Sequence, residues 1–109
     1  MAKSKHDKVA ERIARKQGVK YNRGQGVDIQ SSRRIIEVES VNTIGDATRQ
    51  LAGHRKPVYV AGADAKATQK ALQRYKNTTI GVMNSQGRVV KRSTRGTGPR
   101  TKGTGARNR

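Results

Sequence analysis

Cysteine, phenylalanine and tryptophan are missing from this 109-residue sequence, and tyrosine occurs only three times. Without cysteine there is no disulfide framework, zinc-thiolate site, c-type haem attachment or cysteine nucleophile, and nothing points to an oxidising compartment. Without large aromatic rings the core must be assembled from Val, Ile and Leu, so it is thin. No run approaches the roughly 18 apolar residues of a membrane span. The opening MAKSKHDKVAERIARK carries charge where a secretory leader needs an apolar stretch. The expectation is a cytoplasmic protein with no membrane segment. Acid is scarce as well, 7 Asp and Glu against 25 Lys and Arg, for a formal charge of +18. Such an excess on a small chain repels itself unless a polyanion neutralises it, so nucleic acid, DNA or RNA, is the expected partner.

After Val90 the sequence KRSTRGTGPRTKGTGARNR holds no aliphatic or aromatic core residue and no acid. Residues 92–109 are therefore expected to be a flexible basic tail that orders only on a phosphate backbone, with residues 1–91 as the folded domain. The tail and its junction supply the cations Lys91, Arg92, Arg95, Arg100, Lys102, Arg107 and Arg109. Within the domain, Lys5 to Gln17 places Val9 and Ile13 four apart with Ala10 and Ala14 beside them, an amphipathic helix stopped by Gly18. Strands are expected through 19–22, through 27–30 and, most strongly, through the RIIEVE run of 34–39. A short helix over 44–52, a buried strand over 57–61, a helix over 65–76 and a hairpin of 79–83 with 88–91 complete the order. Interleaved helices and strands imply an α/β fold, a small mixed sheet flanked by helices.

With so few acids, their placement is informative. Asp28, Glu37 and Glu39 fall within twelve residues on two neighbouring expected strands. Side chains alternate along a strand, so Glu37 and Glu39 share one face while Ile36 and Val38 point to the core on the other. If Asp28 pairs beside them through the Ser31-Ser32 turn, three carboxylates converge. Such a cluster repels itself and is relieved by basic neighbours or by a hard divalent cation such as Mg²⁺ or Mn²⁺.

At these residues the sequence resembles the PD-(D/E)XK nuclease superfamily, which includes archaeal Holliday junction resolvases and many restriction endonucleases. The elements run in that order: a leading helix with Glu11 in AERIARK, GVDI with Asp28, IIEVE with Glu37, a helix with Gln50 in RQLAG, then a strand and a further helix. The resemblance covers roughly residues 5–91. It implies a restriction endonuclease-like fold, metal binding by Asp28 and Glu37, assistance from Glu11 and Gln50, and endonuclease activity. Glu39 stands where the family most often has Lys; some members use Glu there, and Glu39 would then complete the metal shell or accept a proton from the attacking water. Lys56 or Lys20 is a candidate for stabilising developing charge. Resolvase-like members are dimers, which implies a homodimer.

Beyond the acids, Arg12, Arg15, Lys16 and Lys20 lie at near-helical spacing and form a candidate phosphate track, joined by Arg23 in the loop Arg23-Gly24-Gln25-Gly26. That loop lacks a third glycine at position 29 and has no Gly-Lys-Ser/Thr, so it is not a nucleotide fingerprint. His6 and His54 read as solvated surface residues. Tyr21, Tyr59 and Tyr75 read as core residues with exposed hydroxyls, not as a base-stacking platform. The rival to a nuclease is a non-catalytic RNA-binding or ribosome-associated protein that keeps the same architecture and uses only its basic surface and tail.

Overall fold

The computed structural model describes residues 4–22 and 27–95. Helix α1, Lys5–Lys16, begins where the Ser4 side chain accepts from the Asp7 amide and ends at Gly18, whose φ of +74° suits a residue without Cβ. Asp7 in its first turn and Arg15 and Lys16 in its last complement the helix dipole. Strands β1, Ile29–Gln30, and β2, Ile35–Glu39, pair antiparallel. The Ser31 hydroxyl shapes the turn between them by accepting from the amides of Arg33 and Arg34. A 3-10 turn, Ile44–Asp46, leads into the short helix α2, Ala47–Leu51. Then come β3, Val58–Gly62, helix α3, Ala65–Arg74, capped by Asp64 through the Ala67 amide at 2.9 Å, and the strands β4, Gly81–Met83, and β5, Val89–Lys91.

The strands form one sheet in the order β1-β2-β3-β4-β5, parallel across β2, β3 and β4 and antiparallel at both edges. The expected α/β class, a small mixed sheet flanked by helices, is the fold observed. Alternation along β2 splits the core in two. Ile36 and Val38 pack with Tyr59, Ala61 and Met83 under Val9, Ala10 and Ile13 of α1. On the opposite face Ile35, Val58, Val60 and Val82 meet Leu51 of α2, Ala67 and Ala71 of α3, and Tyr75 just past the end of α3. Burying one Ile or Val side chain stabilises by roughly 1.5–3 kcal/mol, so a core built from small aliphatics needs both faces covered. No helix among the described residues is long and apolar enough to cross a membrane.

Three local expectations change. Residues 19–22 are irregular instead of a strand; the Asn22 amide donates to the Asp28 carbonyl at 2.7 Å, and no ladder follows among the described residues. The Tyr75 hydroxyl is buried and not exposed, because it donates to the Ile44 carbonyl at 2.7 Å and meets Thr48 Oγ1 at 3.0 Å, tying α3 to the turn before α2. The folded body also continues past residue 91. Ser93 is fully buried, donating to the Thr79 carbonyl at 2.8 Å and accepting from the Val58 amide, while Arg95 donates to the Leu51 carbonyl at 2.7 Å. These anchors are polar, so the end of the hydrophobic pattern at Val90 gave no sign of them. Residues 96–109, with Arg100, Lys102, Arg107 and Arg109, and the loop 23–26, with Arg23, lie outside the described residues.

Helix α3 packs tightly against the sheet at Gly62, opposite Glu39 in the register of β2 and β3. A Cβ there would stand 2.4 Å from the backbone nitrogen and hydroxyl of Thr68. Backbone cannot yield as a side-chain tip can, so Gly62→Ala forces α3 off the sheet. It is expected to cost roughly 2–4 kcal/mol, read as a lower urea midpoint; an unchanged midpoint would show that α3 is not seated as described.

Candidate active site

The β1–β2 edge of the sheet brings the three acids together. Asp28 lies just ahead of β1 and opposite Glu37, and its amide donates to Glu37 Oε1 at 3.0 Å. In return the Val38 amide donates to Asp28 Oδ2 at 2.9 Å. Glu39, two residues on and on the same face, shares a hydrogen bond with the Glu37 carboxyl and another with the Thr43 side chain. All three are buried: Asp28 is 9% exposed, Glu37 8% and Glu39 6%. They are not surface acids balancing nearby cations.

Burial dominates their ionisation. It pushes Glu37 up to about 8, helped by the negative charge of Asp28 and then of Glu39. Burial likewise raises Glu39, opposed by its bonds to Thr43 and Glu37, and raises Asp28, opposed by the Val38 amide and His6. At neutral pH Glu37 therefore keeps its proton, placed in the hydrogen bond it shares with Glu39.

Helix α1 supplies the fourth member. His6 Nε2 lies 3.1 Å from Asp28 Oδ2, and the other ring nitrogen meets the Tyr21 hydroxyl at 3.2 Å, which itself donates to Asp7 at 2.9 Å. His6 was expected to be solvated, yet it shares the helical stripe of Val9 and Ile13, which face the sheet. That spacing was the available signal. Glu11, the expected α1 contributor, sits about 140° around the helix from His6 by helical geometry. It lines a 340 Å³ cleft with Arg15, Lys20 and Tyr21. Gln50 is half-buried on α2, and none of the acid cluster's hydrogen bonds reaches it.

The expected cations are placed elsewhere. Lys56 donates to the Ser31 carbonyl at 3.1 Å, in the turn beyond the far end of β1, and Lys20 is exposed. Arg12 and Lys16 donate to the carbonyls of Ser85 and Gln86, so two members of the expected phosphate track hold α1 to the β4–β5 turn. Arg15 is exposed, as is Arg92, while Lys91 is bound to the carbonyls of Thr78 and Ile80.

The donor set has the chemistry of a hard-cation site: anionic oxygens, crowded, one of them protonated for want of a counter-charge. Its arrangement does not close on an ion. Among the described residues no three His, Asp or Glu side chains are grouped so as to hold a metal. In the arrangement observed, Asp28 Oδ2 accepts from the Val38 amide and lies against His6, and Glu37 Oε1 accepts from the Asp28 amide. A divalent cation would use the remaining oxygens and displace the Glu37 proton. Comparison with known proteins identifies no relative: no family model, curated protein or solved structure matches the chain.

Proposed function

We propose that the protein binds nucleic acid and that Asp28, Glu37 and Glu39 form a cation-dependent phosphodiester-cleaving site, an endonuclease of the PD-(D/E)XK kind acting in the cytoplasm. One observation carries the reading: three carboxylates are buried together at one sheet edge of a chain with a formal charge of +18. Burying like charges costs stability, and nearby apolar positions show that the fold can fill its core without them. Clusters of perturbed acids mark sites of chemistry. Asp28 and Glu37 would hold Mg²⁺ or Mn²⁺, and the bound ion supplies charge neutralisation at a phosphoryl oxygen and an acidified water. The chain's own residues prepare for this. The Val38 amide fixes Asp28, His6 orients the same carboxylate from α1, and Glu39 stands ready to take a proton.

A second reading has one observation in its favour. Val38 and His6 occupy the Asp28 oxygen a metal would want, as in a protein that keeps the architecture, binds RNA and cleaves nothing. The two part in a cleavage assay with labelled duplex, branched DNA and RNA in Mg²⁺, Mn²⁺ or EDTA. Cleavage that needs the divalent ion is expected. Tight binding of any of these substrates with none cut would overturn the catalytic reading and leave the second.

A further inference from the structure

The seven acids of the chain are gathered away from one end of the sheet. Asp28, Glu37 and Glu39 form the cluster, Asp7 acts on Asp28 and Asp46 on Glu39, Asp64 follows the end of β3, and Glu11 lies in the middle of α1. Strands β2, β3 and β4 are parallel, so their starts lie at a common end, and the antiparallel edges bring the exits of β1 and β5 there too. Hydrogen bonds knit these loops into one surface. Lys56 donates to the Ser31 carbonyl at 3.1 Å, the Ile35 amide to the Pro57 carbonyl at 2.9 Å, the Val58 amide to Ser93 Oγ at 3.2 Å and the Thr94 amide to the Thr79 carbonyl at 3.0 Å.

The surface carries Arg33, Arg34, Arg55, Lys56, Arg92 and Arg95, and the segments 31–34, 54–57 and 92–95 that hold them contain no acid. Three of the six are braced. Lys56 and Arg95 bond backbone carbonyls, and the Arg34 guanidinium lies 5.1 Å from the Tyr59 ring centroid, half-buried on its face. Arg33, Arg55 and Arg92 are exposed, and no ion pair among the described residues involves any of the six. Unpaired guanidinium groups held on a knitted base suit phosphate oxygens, which they bind in a planar, two-pronged way.

We propose that this strand-start end, not the α1 face, is where the protein grips the phosphodiester backbone of nucleic acid. It rests on the nucleic-acid-binding part of the function proposed above and is independent of cleavage. In that geometry the basic end positions the strand, and the acid cluster meets it further along β2, at a rise of about 3.3 Å per residue.

The test compares two triple variants of the full chain that lose equal charge. One is Arg33→Gln with Arg55→Gln and Arg92→Gln; the other is Lys8→Gln with Lys66→Gln and Arg88→Gln, all at exposed positions. Binding to a short labelled DNA duplex and to a single-stranded RNA of equal length is followed against salt in EDTA, with no cleavage possible. The first triple should lower the slope of log K on log salt by about 2–3 on the duplex, since each phosphate contact contributes roughly 0.9, and proportionally less on the single strand. The second should lower it by less than about 1. Equal losses in the two triples would overturn the proposal while leaving nucleic-acid binding intact. Failure of the unmodified protein to bind either probe would overturn both.

Discussion

Glu37→Gln is expected to make the protein more stable at alkaline pH than the unsubstituted chain, by roughly 2–5 kcal/mol. The size follows from a carboxyl held at about 8 in the fold against an ordinary 4.5, at about 1.36 kcal/mol per unit. The sign follows from proton counts. Between those values the native state keeps a proton that the unfolded chain has released, so Glu37's contribution is complete below about 4.5 and is lost as pH rises through about 8. Asp28 and Glu39 are raised as well and act in the same direction. Asp64 is lowered, chiefly by its cap bond to the Ala67 amide and then by Lys5, and acts oppositely, losing its contribution only on acidification. Glutamine reproduces the protonated acid: its carbonyl can accept from the Asp28 amide and its amide can donate to Glu39. Urea unfolding of both proteins across about pH 5 to 9 should show the curves diverging as pH rises, because charge effects common to both cancel in the difference. Parallel curves would show that Glu37 is ionised in the fold.

Asp28→Asn should abolish cleavage, by about a thousandfold or more, while the protein remains folded. At the proposed cation site, losing one anionic ligand would remove several kcal/mol of cation-borne stabilisation, and each 1.36 kcal/mol is about tenfold in rate. Asparagine still offers a carbonyl oxygen to the Val38 amide, so the β1–β2 edge is kept, and relief of repulsion at Glu37 should leave stability unchanged or improved. Asp28→Ala differs. It strands the Val38 amide in a buried position at a cost of about 1–3 kcal/mol, so its loss of cleavage mixes chemistry with stability. Full cleavage by Asp28→Asn would remove Asp28 from the site.

How legible these features were depends on the kind of signal involved. The two-residue alternation of IIEVE with Ile36 and Val38 inward placed Glu37 and Glu39 on one face, and Gly18 and Gly53, at φ +74° and +83°, stopped two helical segments where the pattern ended. Those signals are local. The burial of Glu37 and Glu39 was not legible, because an acid in a strand reads as solvent-facing, and only the fold shows α2 packed against β2 and Thr43 beside Glu39. His6 was legible in spacing but was outweighed by its charged neighbours Lys5, Asp7 and Lys8. Ser93 and Arg95 hold the body through hydrogen bonds to residues 79, 58 and 51, long-range contacts that leave no periodicity in the sequence. The α1 cations illustrate the same limit. Helical spacing placed Arg12 and Lys16 on one side, but only the fold shows that side against the carbonyls of Ser85 and Gln86.

The central claim is that the buried acids are a cation site, and Mn²⁺ titration of the intact protein near neutral pH tests it most directly. Free Mn²⁺ is followed by its paramagnetic resonance signal, and released protons are counted in weak buffer, for the unmodified chain and for Asp28→Asn. One saturable site is predicted, with about one proton released per ion as the Glu37 carboxyl ionises, and with both signals lost in Asp28→Asn. Weak, non-saturating uptake that is the same in the two proteins and releases no proton would contradict the claim.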